Sequence, residues 1–284
     1  MSSQVVIAFA TALQLLYGDA RAPECSTVEC LLDGRYAADA KARALALALY
    51  ADGGSVAGVG ADEVMDGGYR GKIHLVPQLP VGGYRGHLAW VGAAMHEIDA
   101  FFAAQFPDAT TRPAYRWRAI AFKFVRSVGK RTPSAWATQW SIEYNVEGSL
   151  LTSERGVRET LFHELFHLND EQHGDWSKQQ LAADYDAIVN KCGTKVACLA
   201  PYAPNDTMVR GGTYYAFQQN NGDTVHEYAA ELAVRYWKEQ SEMRARGKLS
   251  RKAFKCGPAE NARAWRALVD EFFAGRDLVP ACAR

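Results

Sequence analysis

The sequence predicts an α+β fold with a sheet-bearing N-terminal lobe and a helical C-terminal lobe. Three observations predict it. Strand-like runs rich in aromatic and β-branched residues end before residue 150. Stretches with helical spacing dominate after it. The chain has 284 residues, 48% of them apolar and 23% charged, which is enough for a substantial buried core. Lysine plus arginine equals aspartate plus glutamate, 32 against 32, and no basic block stands out. Nothing in the charge steers the chain towards nucleic acid or anionic lipid.

The elements follow in order. Val5 to Leu16 is a short apolar run, with small residues at Gly18 and Ala20. It is too short to span a membrane as a helix. It fits a signal peptide over residues 1–20, although no Lys or Arg precedes it. The competing reading is a helix that packs on the domain. Tyr36 to Tyr50 is rich in alanine and leucine and reads as a helix, and Gly53 to Gly71 as glycine-rich loop. Lys72 to Val76 is a short strand ended by Pro77 and Pro80. His87 to Phe106 places Leu88, Val91, Met95, Ile98 and Phe102 on one helical stripe. Ile120–Val128 and Trp136–Val146 flank the turn-forming Gly129–Ser134, which predicts a hairpin. A helix over about Ser153 to His173 has Ser153 or Thr152 as N-cap and Gly174 as C-cap. Asn190 to Thr224 is loop-rich, and Val225–Arg246 and Ala259–Ala274 are helices. Residues 21–115 are thus a region of unassigned type, helical in part, and 116–284 form the domain that carries the motifs below.

Six cysteines fall in three neighbouring couples outside any C-x-x-C pattern. That usage suits disulfides in an oxidising compartment, so the expected location is secreted or periplasmic. The neighbouring pairs Cys25–Cys30, Cys192–Cys198 and Cys256–Cys282 are the expected set, out of fifteen possible pairings. Six free thiols in a cytosolic protein are the alternative.

His163-Glu164-Leu165-Phe166-His167 spells H-E-x-x-H. Residues four apart lie one turn apart on the same helix face, so both imidazoles can reach one ion. Glu164 stands beside them, where it can accept a proton from water activated by zinc. Val157, Leu161, Phe162, Leu165, Phe166 and Leu168 fill one half of this helix. Thr160, His163, Glu164, His167, Asp170 and Glu171 fill the other, which is expected to face a cleft. Two surface histidines on an ordinary amphipathic helix are the bland alternative.

A catalytic zinc needs a third protein ligand and an open position. Glu227 and Glu231 are four apart on the helix that starts near Val225, where Ala229, Ala230 and Ala233 permit close approach. Glu227 could bind zinc while Glu231 orients a zinc-bound histidine. His173 competes. His163 to His173 nearly spells the metzincin pattern H-E-x-x-H-x-x-G-x-x-H, with Asp170 in place of glycine and Met208 as a possible Met-turn residue. A helix that runs on to Gly174 would carry His173 too far round and too far along to share the ion.

H-E-L-F-H followed by Glu227-Tyr228-Ala229-Ala230-Glu231 resembles the gluzincin zinc metallopeptidases related to anthrax lethal factor and the bacterial Pro-Pro endopeptidases. Tyr215-Ala216-Phe217-Gln218-Gln219-Asn220 is similar to the tyrosine-bearing run that precedes that family's second helix. The resemblance covers roughly residues 120–240. It implies a zincin-like fold and a zinc metallopeptidase domain over 116–284. It implies zinc on His163, His167 and Glu227, with Glu164 as general base and Tyr215 stabilising the oxyanion. The spacing from Tyr215 to Glu227 exceeds the family's, with Asn221 to Val225 in excess, so Tyr214 competes for the tyrosine role. His226 is a further possible donor. The expected partner is a protein or peptide substrate, with no nucleic acid and no stable membrane insertion. A non-catalytic, zinc-stabilised binding protein is the rival from another class.

Overall fold

The computed structural model describes residues 6–18, 20–67, 70–108, 110–117, 119–209, 212–218 and 224–283. The first residues of the expected signal peptide, Met1–Val5, lie outside them, as do Asp19 and the 219–223 part of the tyrosine run and its excess residues. The chain divides into two compact units. One takes residues 1–100 and 117–164, the other 101–116 and 165–284.

The first unit holds the sheet. Its helices are α1 (Phe9–Tyr17), α2 (Val28–Arg35), α3 (Ala40–Gly53) and most of α4 (Arg85–Gln105). Its strands are β1 (Val56–Val59), β2 (Glu63–Asp66), β3 (Lys72–Pro77), β4 (Ala121–Ser127), β5 (Ala135–Thr138) and β6 (Ser141–Asn145). The sheet order is β2-β3-β4-β6-β5, with β1 pairing β4 in parallel. β4 and β6 are parallel, while β2 with β3, β3 with β4 and β5 with β6 are antiparallel. The α4 stripe behaves as its spacing predicts, with Leu88, Val91, Met95, Ile98 and Phe102 all buried.

Three features depart from the expected elements. β1 and β2 occupy the stretch expected as glycine-rich loop. β1 contains a glycine because it must: a Cβ at Gly58 would stand 2.4 Å from the Leu15 carbonyl oxygen. The expected hairpin of Ile120–Val128 with Trp136–Val146 is absent. The second run instead folds on itself as β5 and β6, turning at Gln139 and Trp140, which both have positive φ. A two-residue turn of that kind normally advertises itself with Asn-Gly, and Gln-Trp does not. Finally, the sheet draws strands from both sides of residue 115, so it crosses the boundary expected there.

The segment expected as a signal peptide contains α1, which packs on α2, β1 and β4. Ala12, Leu15 and Leu16 are buried, Ile7 N–H donates to Gly54 O at 3.0 Å, and Tyr17 Oη donates to Leu31 O at 3.0 Å. In the full chain the segment thus packs as a helix on the rest of the first unit. No helix among the described residues is long and apolar enough to cross a membrane.

The second unit is helical. α5 (Glu154–Gln172) starts in the first unit and continues into the second from Leu165. It is followed by α6 (Trp176–Gln180), α7 (Ala182–Cys192), α8 (Val196–Leu199), α9 (Thr224–Arg246) and α10 (Ala259–Phe272). α9 is buried on nearly every side from Tyr228 to Trp237, as a central helix must be. Phe102, Tyr115, Tyr236 and Phe273 stack in its core. The three neighbouring cysteine couples are disulfide-bonded, as expected, and none of the six is free.

Candidate metal centre

α5 begins where Ser153 caps it, its hydroxyl accepting from Gly156 N–H at 3.1 Å. The apolar half, Val157, Leu161, Phe162, Leu165, Phe166 and Leu168, is fully buried. The polar half, expected to face a cleft, is partly enclosed, with His167 half-buried and Glu171 exposed. Thr160, His163, Glu164 and Asp170 are buried too, and His163 keeps only 7% of its surface. Buried imidazole and carboxylate groups are costly unless something pairs them. The reading of two surface histidines therefore fails. Beyond the motif, Asn169 pins the helix to the preceding chain. Its side chain accepts from Arg116 N–H at 2.7 Å and donates to Arg116 O at 2.9 Å.

The helix runs through Asp170 to Gln172, and the chain turns away at Gly174 (φ +70°) and Asp175. His173 is consequently carried off the motif's stripe. Its Nδ1 lies 2.6 Å from Glu271 Oε1 and its ring packs on Phe272. Met208, the other metzincin hallmark, is 47% exposed and pairs with Tyr214.

Glu227 lies in the first turn of α9, where the positive end of the helix dipole favours a carboxylate. His163, His167 and Glu227 each present a ligand atom, all within 4.8 Å of one another. No other such trio of His, Cys, Asp or Glu occurs among the described residues. His167 Nε2 and Glu227 Oε2 are 3.6 Å apart. That is too long for a good hydrogen bond. It is close to the roughly 3.4 Å that separates two ligands on a tetrahedral ion with bonds of about 2.1 Å. The group can hold a metal ion through two imidazoles and one carboxylate.

The other expected residues are placed as follows. Glu164 is buried beside His163. Glu231, one turn after Glu227, is buried, and its Oε2 accepts from the Thr207 hydroxyl at 3.2 Å. Tyr215 opens a 3₁₀ turn, Tyr215–Phe217, that packs on α9. Phe217 in that turn meets Tyr228 at 5.6 Å between ring centres, next to Glu227 in sequence. His226 Nε2 is 3.9 Å from Asp170 Oδ2, and Asp170 also accepts from Ser177 N–H at 2.7 Å. Sequence reasoning missed Asn205, Thr207 and Ser177. Asp170 alone carried a signal, since it shares the stripe of His163 and His167. No known protein family, curated protein or solved structure matches the chain.

Proposed function

We propose that the protein is a zinc-dependent endopeptidase of the gluzincin kind, acting on a protein or peptide substrate outside the cytoplasm. The observation that carries this is the Glu227 carboxylate, which comes from a separate helix to 3.6 Å from His167, on the H-E-x-x-H turn. The three disulfides fit an oxidising compartment.

When bound, zinc would supply a Lewis acid that polarises a peptide carbonyl and acidifies a water. Glu164 is the proton carrier. Its carboxylate takes the water's proton and then delivers it to the leaving amine nitrogen. Tyr215 donates its hydroxyl to the oxygen that becomes negative as the carbonyl is attacked, with Tyr214 and His226 as the competing donors. Glu231 orients a ligand histidine. β5 lies at the sheet's edge, where its free side can pair with an extended substrate backbone.

The test is cleavage of a peptide library by wild type and Glu164→Gln, with zinc measured in both. Glu164→Gln should keep one zinc per chain and lose on the order of 10²–10⁴-fold in turnover. Zinc bound by a wild type that cleaves nothing would favour the non-catalytic binding protein. A mutant that cleaves as fast as wild type would remove Glu164 from the mechanism.

A further inference from the structure

A short irregular segment ties Glu231 to Tyr215. Pro204 O accepts from the buried Arg235 guanidinium at 3.2 Å. Asn205, itself buried, donates its Nδ2 to Glu231 O at 2.7 Å. Thr207 donates its hydroxyl to Glu231 Oε2 at 3.2 Å. The chain then forms a small hairpin. Val209 N–H donates to Thr213 O at 2.9 Å, Met208 pairs with Tyr214, and Tyr215 N–H donates to Thr207 O at 2.8 Å. Thr207 therefore stands at the hairpin's base with its side chain on Glu231 and its carbonyl on Tyr215.

We infer that Thr207 is a positioning residue for the metal centre, fixing the Glu231 carboxylate through its hydroxyl and the Tyr215 backbone through its carbonyl. The inference rests on the zinc reading above. Its chemistry is simple. A carboxylate has two oxygens and several lone pairs, and a hydroxyl on one oxygen restricts which way the other points. An orienting carboxylate that is free to turn loses part of its effect on the ligand it serves. The hooks at Pro204 and Asn205 keep the segment on α9 even when the hydroxyl is removed, so Thr207 variants should keep the fold.

The test uses the full chain and zinc itself as probe. Zinc affinity is measured by competition with a chromogenic chelator for wild type, Thr207→Val and Thr207→Ser, and Thr207→Val is also placed in a Glu231→Gln background. Val keeps the shape and removes the hydroxyl, while Ser keeps the hydroxyl. Thr207→Val should weaken zinc about 10-fold. Thr207→Ser should stay within about twofold of wild type, and Thr207→Val should add almost nothing once Glu231 is Gln. On a cleaved peptide, Thr207→Val should lower kcat more than it raises KM. Wild-type zinc affinity in Thr207→Val would overturn the inference. So would a Ser variant as weak as Val, or equal losses with and without Glu231→Gln. Failure of the zinc reading itself shows separately, as a wild type that binds no zinc.

Discussion

On the proposals above, the α5 helix and the 204–217 segment serve the same candidate centre by different means. On α5 a repeat of 3.6 residues does the placing. His163 and His167 share a stripe because they are four apart, and six apolar residues bury the opposite half. In the 204–217 segment no repeat exists. Thr207 and Tyr215 are placed by single hydrogen bonds to Glu231 and to each other's backbone. A helix spreads its positioning over many contacts, so only the ligands themselves are irreplaceable. A hooked segment concentrates it in a few polar atoms, so loss of one hydroxyl is felt at a distance.

The largest effect expected from this contrast is at the ligands. His163→Ala or His167→Ala should reduce zinc from one per chain to almost none, with the α5 helix intact by circular dichroism, because each removes a ligand without touching the apolar half. Stoichiometric zinc in both variants would mean that the helix face does not form the site.

Next comes α1, a second element placed by an apolar face. Leu16→Ala should cost about 2–5 kcal/mol, read as a shifted denaturation midpoint, since Leu16 is completely buried. A wild-type midpoint would show that α1 adds nothing to the fold. Gly58→Ala should be destabilising by about 1–3 kcal/mol, because its Cβ would press on the Leu15 carbonyl. Unchanged stability there would mean that the approach of α1 to β1 is looser than 2.4 Å implies.

The smallest effect concerns a hook within the first unit. Asp39 caps α3 and holds the loop before α4. Backbone N–H donors from Gly82 and Ala42, followed by Arg85, hold its carboxyl at about 2, below the ordinary 3.8. A carboxyl whose folded pKa is lowered stabilises the fold fully above its unfolded value. That contribution is lost as pH falls through the folded value. Wild type should lose stability between about pH 4 and pH 2, and Asp39→Asn should lose less over that window. Parallel acid titrations of the two proteins would show that the cap is not linked to folding.

What was legible in the sequence follows the same division. α4, α5, α9, α10 and β3 were readable because each depends on spacing along the chain, as does the pairing of His163 with His167, whereas Glu227 stood beside His173 as one of two candidates until the family resemblance implied it. The disulfides were readable because each joins two successive cysteines along the chain. β1 was hidden by its own glycine, which serves close approach rather than a turn. The β5–β6 turn was hidden because Gln139 and Trp140 take a conformation usually given to Asn and Gly. Thr207 was hidden because no repeat or motif marks it, and its contact with Glu231 exists only in the folded chain. Enclosure of the polar half of α5 could not be read either, since periodicity reports which residues are polar and not what covers them.

The most direct test is zinc content of purified Glu227→Ala beside His173→Ala. Glu227 stands 3.6 Å from His167, whereas His173 is engaged with Glu271 past a helix that runs through Asp170 without a break. Glu227→Ala should lose most of its zinc, and His173→Ala should keep one ion per chain. Zinc retained in Glu227→Ala and stripped from His173→Ala would contradict the site and the gluzincin reading together.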